Sequence, residues 1–348
     1  MIGCAGLARF VFNWGLAEWK AEYEAGGKPS AYGLKKRFNA IKDEKFPWVR
    51  DYPYVILEAA FDNLGRAFQN FFRRVKTGET PGFPKFKSKH KTTPAFTLRG
   101  SITVESDRVK LPRIGWVRLA ESGYLPTENA KLLSAALSRR GGDWYISLQV
   151  EREVPTPEPA TGEAIGVDLG VKSLAVVSDG TTFDNPRTLR TNEKRLARLQ
   201  REHSRRQKGS KNRAKTTVKI AQLHKKIADT RSHTLHNISR YVTATTKPSV
   251  VVVEDLHVKG MVRNRKLAKA VSDASMGELR RQIEYKADWN GVEVLVADRW
   301  YPSSKTCGEC GCINDKLTLA DRKWTCDSCG TVLDRDLNAA CNLARLAA

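Results

Sequence analysis

The chain is 348 residues long, enough for two or three domains with a substantial core, and it carries 60 lysines and arginines against 38 aspartates and glutamates, a formal net charge of +22. Such an excess points to a polyanionic partner, nucleic acid before membrane surface: no run approaches the ~18 apolar residues of a spanning helix, and the N-terminus lacks the pattern of a signal peptide. Seven cysteines, most of them in one short C-terminal window, exclude a secreted disulfide scaffold and favour metal binding in a reducing, cytoplasmic compartment.

Residues 5–25 read as a helix with Leu7, Phe10 and Trp14 on one side, closed by Gly26-Gly27-Lys28-Pro29. A second helix, Tyr54 to Phe72, carries Leu57, Phe61, Leu64, Phe68 and Phe71 at alternating steps of four and three, the stripe of a packed helix. Its other face offers Arg66, Gln69, Asn70 and Arg73 to solvent or to phosphates and base edges. The following GFPKFKSKHK interleaves phenylalanine with Lys85, Lys87 and Lys89, and its proline forbids a regular helix. That composition suits a loop laid along a sugar-phosphate backbone.

From about Ala95 to Glu151 the period changes to two, in Ile102 to Glu105, Arg108 to Leu111, Gly115 to Leu119 and Trp144 to Val150. Short strands joined by turns such as Gly141-Gly142-Asp143 predict a small β barrel or sandwich. Proline-rich Val154 to Thr161 marks its end.

In Ala164 to Ala175 one carboxylate, Asp168, interrupts an apolar run between two glycines. An unpaired buried carboxylate costs several kcal/mol unless a cation meets it. Leu174 to Ser178, the Asp179-Gly180 turn and Thr181 to Phe183 complete a meander. Two long helices, Leu189 to Arg206 and Thr216 to Tyr241, then flank a basic turn that includes Arg205, Arg206, Lys208 and Lys211. Their apolar positions are sparse and their charge is lopsided, which favours contact with nucleic acid over an ordinary salt-bridged surface. A valine-rich strand, Ser249 to Val253, ends abruptly in Glu254 and Asp255. A mobile basic segment around Lys259 to Lys269, a helix from Met276 to Trp289 and a buried strand, Val292 to Ala297, follow. This alternation predicts an α/β domain with a mixed sheet.

Cys307, Cys310, Cys326 and Cys329 form C-x2-C-x15-C-x2-C, the spacing at which two tight knuckles present four thiolates to zinc. With four sulfur ligands such a site is closed to water, so it stabilises a ribbon and performs no hydrolysis. Cys4, Cys312 and Cys341 read as ordinary thiols. A last acidic pair, Asp334 and Asp336, opens the final helix. Acidic groups at two strand ends and one helix start are what a divalent-metal site recruits when a fold brings them together. Lys305 and Ser304, beside the ribbon, are candidates for steadying a phosphate.

Taken in order, RAFQNFF, GFPKFKSK, IGVDLG, VVVEDLHVKGM, YPSSKTCGECG and DRDLNAACNL resemble the TnpB family of transposon-encoded, RNA-guided DNA endonucleases, relatives of type V CRISPR effectors. IGVDLG also resembles the phosphate-binding opening of actin-like ATPases, and the excess positive charge and the cysteine cluster separate the two. The resemblance implies an α/β RuvC-like nuclease domain of the ribonuclease H fold with an inserted zinc ribbon, behind a helical recognition module and a small β barrel. The implied bounds are 1–94 for the helical module, 95–160 for the barrel and linker, 161–298 for the first part of the nuclease domain, 299–332 for the ribbon and 333–348 for the last helix. It implies Asp168, Glu254 and Asp336 as catalytic carboxylates holding two Mg2+ ions, Asp336 being chosen over Asp334 because the family's third acid directly precedes X-N-A-A. It implies a guide RNA from the element's flank, which pairs with target double-stranded DNA beside a short motif. Family members usually begin with a strand ahead of the first helix, and this sequence opens almost inside that helix, so either its start is misassigned, the chain is naturally shortened or the barrel is completed otherwise. A DNA-only transposase and a catalytically decayed RNA-guided binding protein are the alternative readings.

Overall fold

The computed structural model describes residues 1–347 apart from 124, 126–128 and 319. The chain divides into two compact units, Met1–Val154 and Pro155–Ala348.

The first unit opens with helices α1 (Ile2–Glu24), α2 (Ala31–Lys45) and α3 (Tyr54–Lys76). The predicted stripe of α3 is its buried face: Leu57, Phe61, Leu64 and Phe68 are all sealed, and Phe68 stacks on Trp19 of α1 with centroids 3.9 Å apart. Each such side chain contributes roughly 1.5–3 kcal/mol by leaving water. The α2 helix gave no clear sequence signal, because only Leu34 and Phe38 of it bury. Ser30 caps it by accepting the Gly33 N–H.

The strands β1 (Ala95–Arg99), β2 (Thr103–Val104), β3 (Arg108–Leu111), β4 (Gly115–Arg118), β5 (Lys131–Arg140) and β6 (Asp143–Glu151) pair as two antiparallel three-stranded sheets, β1-β5-β6 and β2-β3-β4. The expected barrel is therefore not a single closed sheet among the described residues. Phe96, Leu98, Ala135 and Leu137 of the first sheet and Val109 and Leu111 of the second bury in one core with the three helices, so helices rather than barrel closure cover the apolar faces.

The second unit is built on a five-stranded mixed sheet. The meander β7 (Ile165–Leu169), β8 (Ser173–Val177) and β9 (Thr182–Asp184) is antiparallel, and β10 (Val250–Glu254) and β11 (Glu293–Ala297) continue it in parallel on the other side of β7. The spatial order β11-β10-β7-β8-β9 is the ribonuclease H arrangement. Between β9 and β10 lie α4 (Thr188–Arg205) and α5 (Lys211–Arg240), whose narrow seam is Leu196, Leu199, Leu223 and Ile227. The α5 helix begins five residues before the sequence suggested, because Ser210 caps it by accepting the Arg213 N–H and draws part of the basic turn into the first turn.

The basic segment around Lys259 to Lys269 contains α6 (Val258–Arg263) and the start of α7 (Ala268–Ala274), followed by α8 (Met276–Asn290). Asp273 ties α7 to the rest of the unit. Its buried carboxylate accepts from the Leu189 and Arg190 N–H groups at the start of α4, from the Thr188 hydroxyl and, at 2.7 Å, from Arg231 of α5. Burial opposes the charge, yet these partners hold its pKa below the ordinary value. The chain closes with a hairpin, β12 (Lys323–Thr325) and β13 (Val332–Asp334), and helix α9 (Arg335–Ala344).

The α9 helix lies directly on β7 at Gly166. A Cβ on Gly166 would sit 1.9 Å from the Ala340 carbonyl oxygen and 2.6 Å from the Ala344 nitrogen, so no side chain fits there. Gly166→Ala is expected to lower stability by about 3 kcal/mol or more and to push α9 off the sheet, read by thermal melting. A melt unchanged from wild type would show that the helix contact is dispensable.

Candidate nuclease site and metal centre

Strand parity and helix phase bring three carboxylates together. On β7, Gly166 and Asp168 share a face; on α9, Asp336 lies one turn before Ala340, whose carbonyl rests on Gly166. In the parallel pairing Val253 opposes Val167, which sets Glu254 beside Asp168 at the same sheet edge. The half-buried Asp168 feels the result: burial first, then repulsion from Glu254 and Asp336, raises its pKa from 3.8 to about 7, against the pull of Arg335 and Arg322.

Asp334 and Asp336 divide their work. The Asp334 carboxylate caps α9, accepting the N–H groups of Asp336 and Leu337, both at 3.1 Å. Asp336 is left free to face the sheet, where Arg335 (2.7 Å) and Arg322 (3.1 Å) hold its carboxylate. Glu254 is held by Ser303, whose hydroxyl donates at 2.6 Å. Sequence reasoning pointed to Ser304 and missed Ser303, Arg322 and Arg335, since each meets its carboxylate only through the fold.

Two cation-lined cavities adjoin these groups. One, of about 560 Å3, is lined by Lys172, Arg187, Arg190, Lys266, Lys269 and Arg322, the last reaching Asp336, and also by Asp273 and by Glu193, which pairs with Lys269. The other, of about 280 Å3, contains Glu254 and Asp255 with His257, Lys259, Arg280 and Arg299. Asp255 is no fourth member of the cluster, because Arg280 and Arg299 both bind it and hold its pKa below the ordinary value.

The four ribbon cysteines also converge, with all four Sγ atoms within 4.8 Å of one another. The Cys307–Cys329 and Cys310–Cys326 pairs are 3.7 and 3.5 Å apart. Zinc–sulfur bonds of about 2.3 Å in a tetrahedron require sulfurs ~3.8 Å apart, so the cluster fits zinc. Each knuckle turns on a left-handed glycine directly after its second cysteine, Gly311 (φ 75°) and Gly330 (φ 73°). Hydrogen bonds from Thr331 draw the Cys329 thiol down to about 6. A backbone hydrogen bond from Cys312 works the same way on Cys310, but burial and the other three thiols push it up to about 12. Four thiolates this close cannot coexist without a cation.

The remaining predicted residues fall into separate groups. Arg66 and Gln69 line a groove of about 670 Å3 in the first unit, with Thr97, Arg99, Ser134 and Gln149, and Asn70 is exposed nearby on α3. Lys85 and Lys89 are exposed, but Lys87 turns inward, its ammonium 3.9 Å from the centre of the Phe12 ring and its backbone paired with Asn13. Arg205, Lys208 and Lys211 are exposed, whereas Arg206 pairs with Glu202. Lys305 donates to the Asp315 carbonyl at 3.4 Å within the ribbon.

The sheet order and the ribbon place the second unit in the RuvC class of ribonuclease H folds. Residues 147–265 match the family described as "Probable transposase", residues 277–343 the "Cas12f1-like, TNB domain" and residues 1–28 a "Helix-turn-helix domain". A Streptomyces pristinaespiralis protein named "Putative RNA-guided DNA endonuclease" is 39% identical over 97% of this chain and 83% of its own length. The Escherichia coli K12 protein of that name, InsQ, is 34% identical over 97% and 86%. The chain belongs to the TnpB family of transposon-encoded RNA-guided DNA endonucleases. A Cas12f1 chain solved by cryo-EM with guide RNA and target DNA has the same fold, with a TM-score of 0.57 and 18% identity over 99% of this chain and 81% of that one. Among the described residues no helix is long and apolar enough to cross a membrane.

Proposed function

We propose that this chain is a cytoplasmic, Mg2+-dependent, RNA-guided endonuclease that cuts DNA beside a short target-adjacent motif. The observation that carries the reading is the convergence of Asp168, Glu254 and Asp336 at one sheet edge, in a member of this family. Their oxygens are hard ligands suited to Mg2+, and burial together with the nearby Glu254 and Asp336 raises the Asp168 pKa. Asp168, Glu254 and Asp336 would hold two ions, which supply Lewis acidity to activate a water and to stabilise the leaving 3'-oxygen of a phosphodiester.

The protein groups around them do the positioning. Ser303 fixes the Glu254 carboxylate, and the Asp334 cap fixes the first turn of α9 from which Asp336 projects. Arg322 and Arg335 neutralise Asp336, and their guanidinium groups would suit phosphate oxygens of a bound strand. Lys172, Arg187, Arg190 and Lys266 have no ion-pair partner among the described residues and line the adjoining cavity, a surface for strand phosphates. In the first unit, the groove containing Arg66 and Gln69 suits reading of the target-adjacent motif. Zinc in the ribbon is structural.

The test is to express the chain with its native flanking DNA, wash the complex at high salt and sequence the RNA that remains. The expected result is a discrete RNA whose end runs past the element boundary and which directs Mg2+-dependent cutting of a matching duplex. Only scattered RNA lost as salt rises, or cutting that survives ribonuclease and ignores guide sequence, overturns the reading in favour of a DNA-only enzyme.

A further inference from the structure

Trp300 is 85% exposed, more than any other large apolar side chain among the described residues. An indole left in water forgoes a large burial energy, and Trp300 has no ring or cation partner among the described residues, whereas the exposed Trp289 at least rests on Tyr285. Disorder does not account for its exposure. The Asp298 carboxylate accepts the Trp300 N–H at 2.7 Å and the Asp298 carbonyl accepts the Tyr301 N–H at 3.0 Å. The residue before it, Arg299, is paired with Asp255, and the residue after it, Tyr301, donates its hydroxyl to the Asn342 carbonyl of α9. The backbone is pinned on both sides and only the indole is free.

Its position is set by the sheet. Glu254 pairs with Ala297 across β10 and β11, so the turn carrying Trp300 leaves the sheet at the edge where Glu254 ends, and it returns through Ser303 to bind Glu254. The neighbouring cavity presents Lys259 and His257, with Arg280 and Arg299 held on Asp255 and with Glu254 in its wall. A solvent-facing indole on a pinned backbone, beside cations and the proposed cutting site, matches the composition of single-strand nucleic-acid platforms, where rings take bases and cations take phosphates.

We propose that Trp300 is a substrate-positioning residue: an unpaired nucleobase of the strand being cut stacks on its indole and fixes the adjoining phosphate over the carboxylates. This rests on Asp168, Glu254 and Asp336 being the cutting site. Because every base has a π face, the stack tolerates any sequence, as a guide-programmed enzyme requires.

Two measurements test it. In the full-length Asp168→Ala chain, a short single-stranded oligodeoxynucleotide carrying iododeoxyuridine is irradiated and the crosslinked peptides are mapped. The peptide containing Trp300 is expected among them and is expected to be lost in Trp300→Ala. In the RNA-loaded, otherwise native enzyme, Trp300→Ala is expected to slow single-turnover cutting about 10-fold with an unchanged melting temperature, and Trp300→Phe to recover most of it. An abasic nucleotide walked along the strand should slow the wild type at one position and leave Trp300→Ala indifferent there. Crosslinks that never include the Trp300 peptide, or an abasic scan identical in both enzymes, overturn the proposal. If the wild type cuts no DNA, the nuclease reading fails separately, and the crosslink alone decides whether Trp300 stacks on bases.

Discussion

Asp168→Ala is expected to reduce guided DNA cutting by at least about 10³-fold, some 4 kcal/mol of transition-state stabilisation, while leaving guide and target binding within a few-fold of wild type. The reason is positional: Asp168 feels both Glu254 and Asp336, and in the proposed site its charge would help hold the metals. The companion Asp168→Asn should also change stability. Folding raises the Asp168 pKa from 3.8 to about 7, so the folded chain disfavours the charged form, and stability contributed below about pH 4 is lost as pH climbs through 7. Removing the charge should therefore stabilise the chain at neutral pH by an amount on the order of 2 kcal/mol, a gain that vanishes in acid. Mg2+ should raise the melting temperature of the wild type and leave Asp168→Asn almost unmoved, provided the metal-free buffer is prepared with a resin that spares the ribbon zinc. A variant that still cuts at the wild-type rate removes Asp168 from the site. Binding lost in parallel with cutting makes its role structural.

The parts of this site legible in the sequence are those where a residue contradicts its surroundings. Asp168 stands inside an apolar strand and Glu254 ends a run of valines, so each announced a partner before any fold was known. The cysteines announced themselves by spacing, because a knuckle is a local structure and its geometry is written in a few consecutive residues. The choice between Asp334 and Asp336 was open on composition alone, and the helix start distinguishes them: one carboxylate folds back to cap the helix and the other faces outward from its first turn. Ser303, Arg322 and Arg335 could not be read, because a serine in SS and arginines in a chain rich in them carry no local signal. The sheets of the first unit were legible as period-two segments, but which strands pair depends on where the stripes of α1 and α3 settle. Asp273 shows the same limit, since nothing in the sequence ties this acid to the start of α4, whose N–H groups it accepts.

The proposed ribbon zinc would sit apart from the carboxylate cluster, yet its loss is expected to disable cutting. Asn338 of α9 accepts the Gly308 N–H at 2.8 Å and donates to the Thr306 carbonyl at 2.7 Å, and Asn342 donates to the Ser303 and Thr306 carbonyls. Arg345 reaches the Gly308 carbonyl, and Arg322, one residue before β12, holds Asp336. The first knuckle thus grips one side of the helix whose other side rests on Gly166, and the same segment delivers Ser303 to Glu254. A four-cysteine zinc site contributes roughly 10 kcal/mol or more to local folding, far beyond what these few hydrogen bonds supply unaided. Cys326→Ser should abolish zinc retention, loosen α9 and lower cutting by about 10²-fold or more, because Asp336 and Glu254 both lose their supports. Added Mg2+ should not rescue it. Zinc returned to a stripped wild-type chain should restore activity, and Cys312→Ser, which alters an exposed thiol outside the four, should change nothing. A Cys326→Ser chain that holds no zinc and still cuts like the wild type would mean that α9 keeps Asp336 in place through the sheet alone, and the ribbon would then need another purpose.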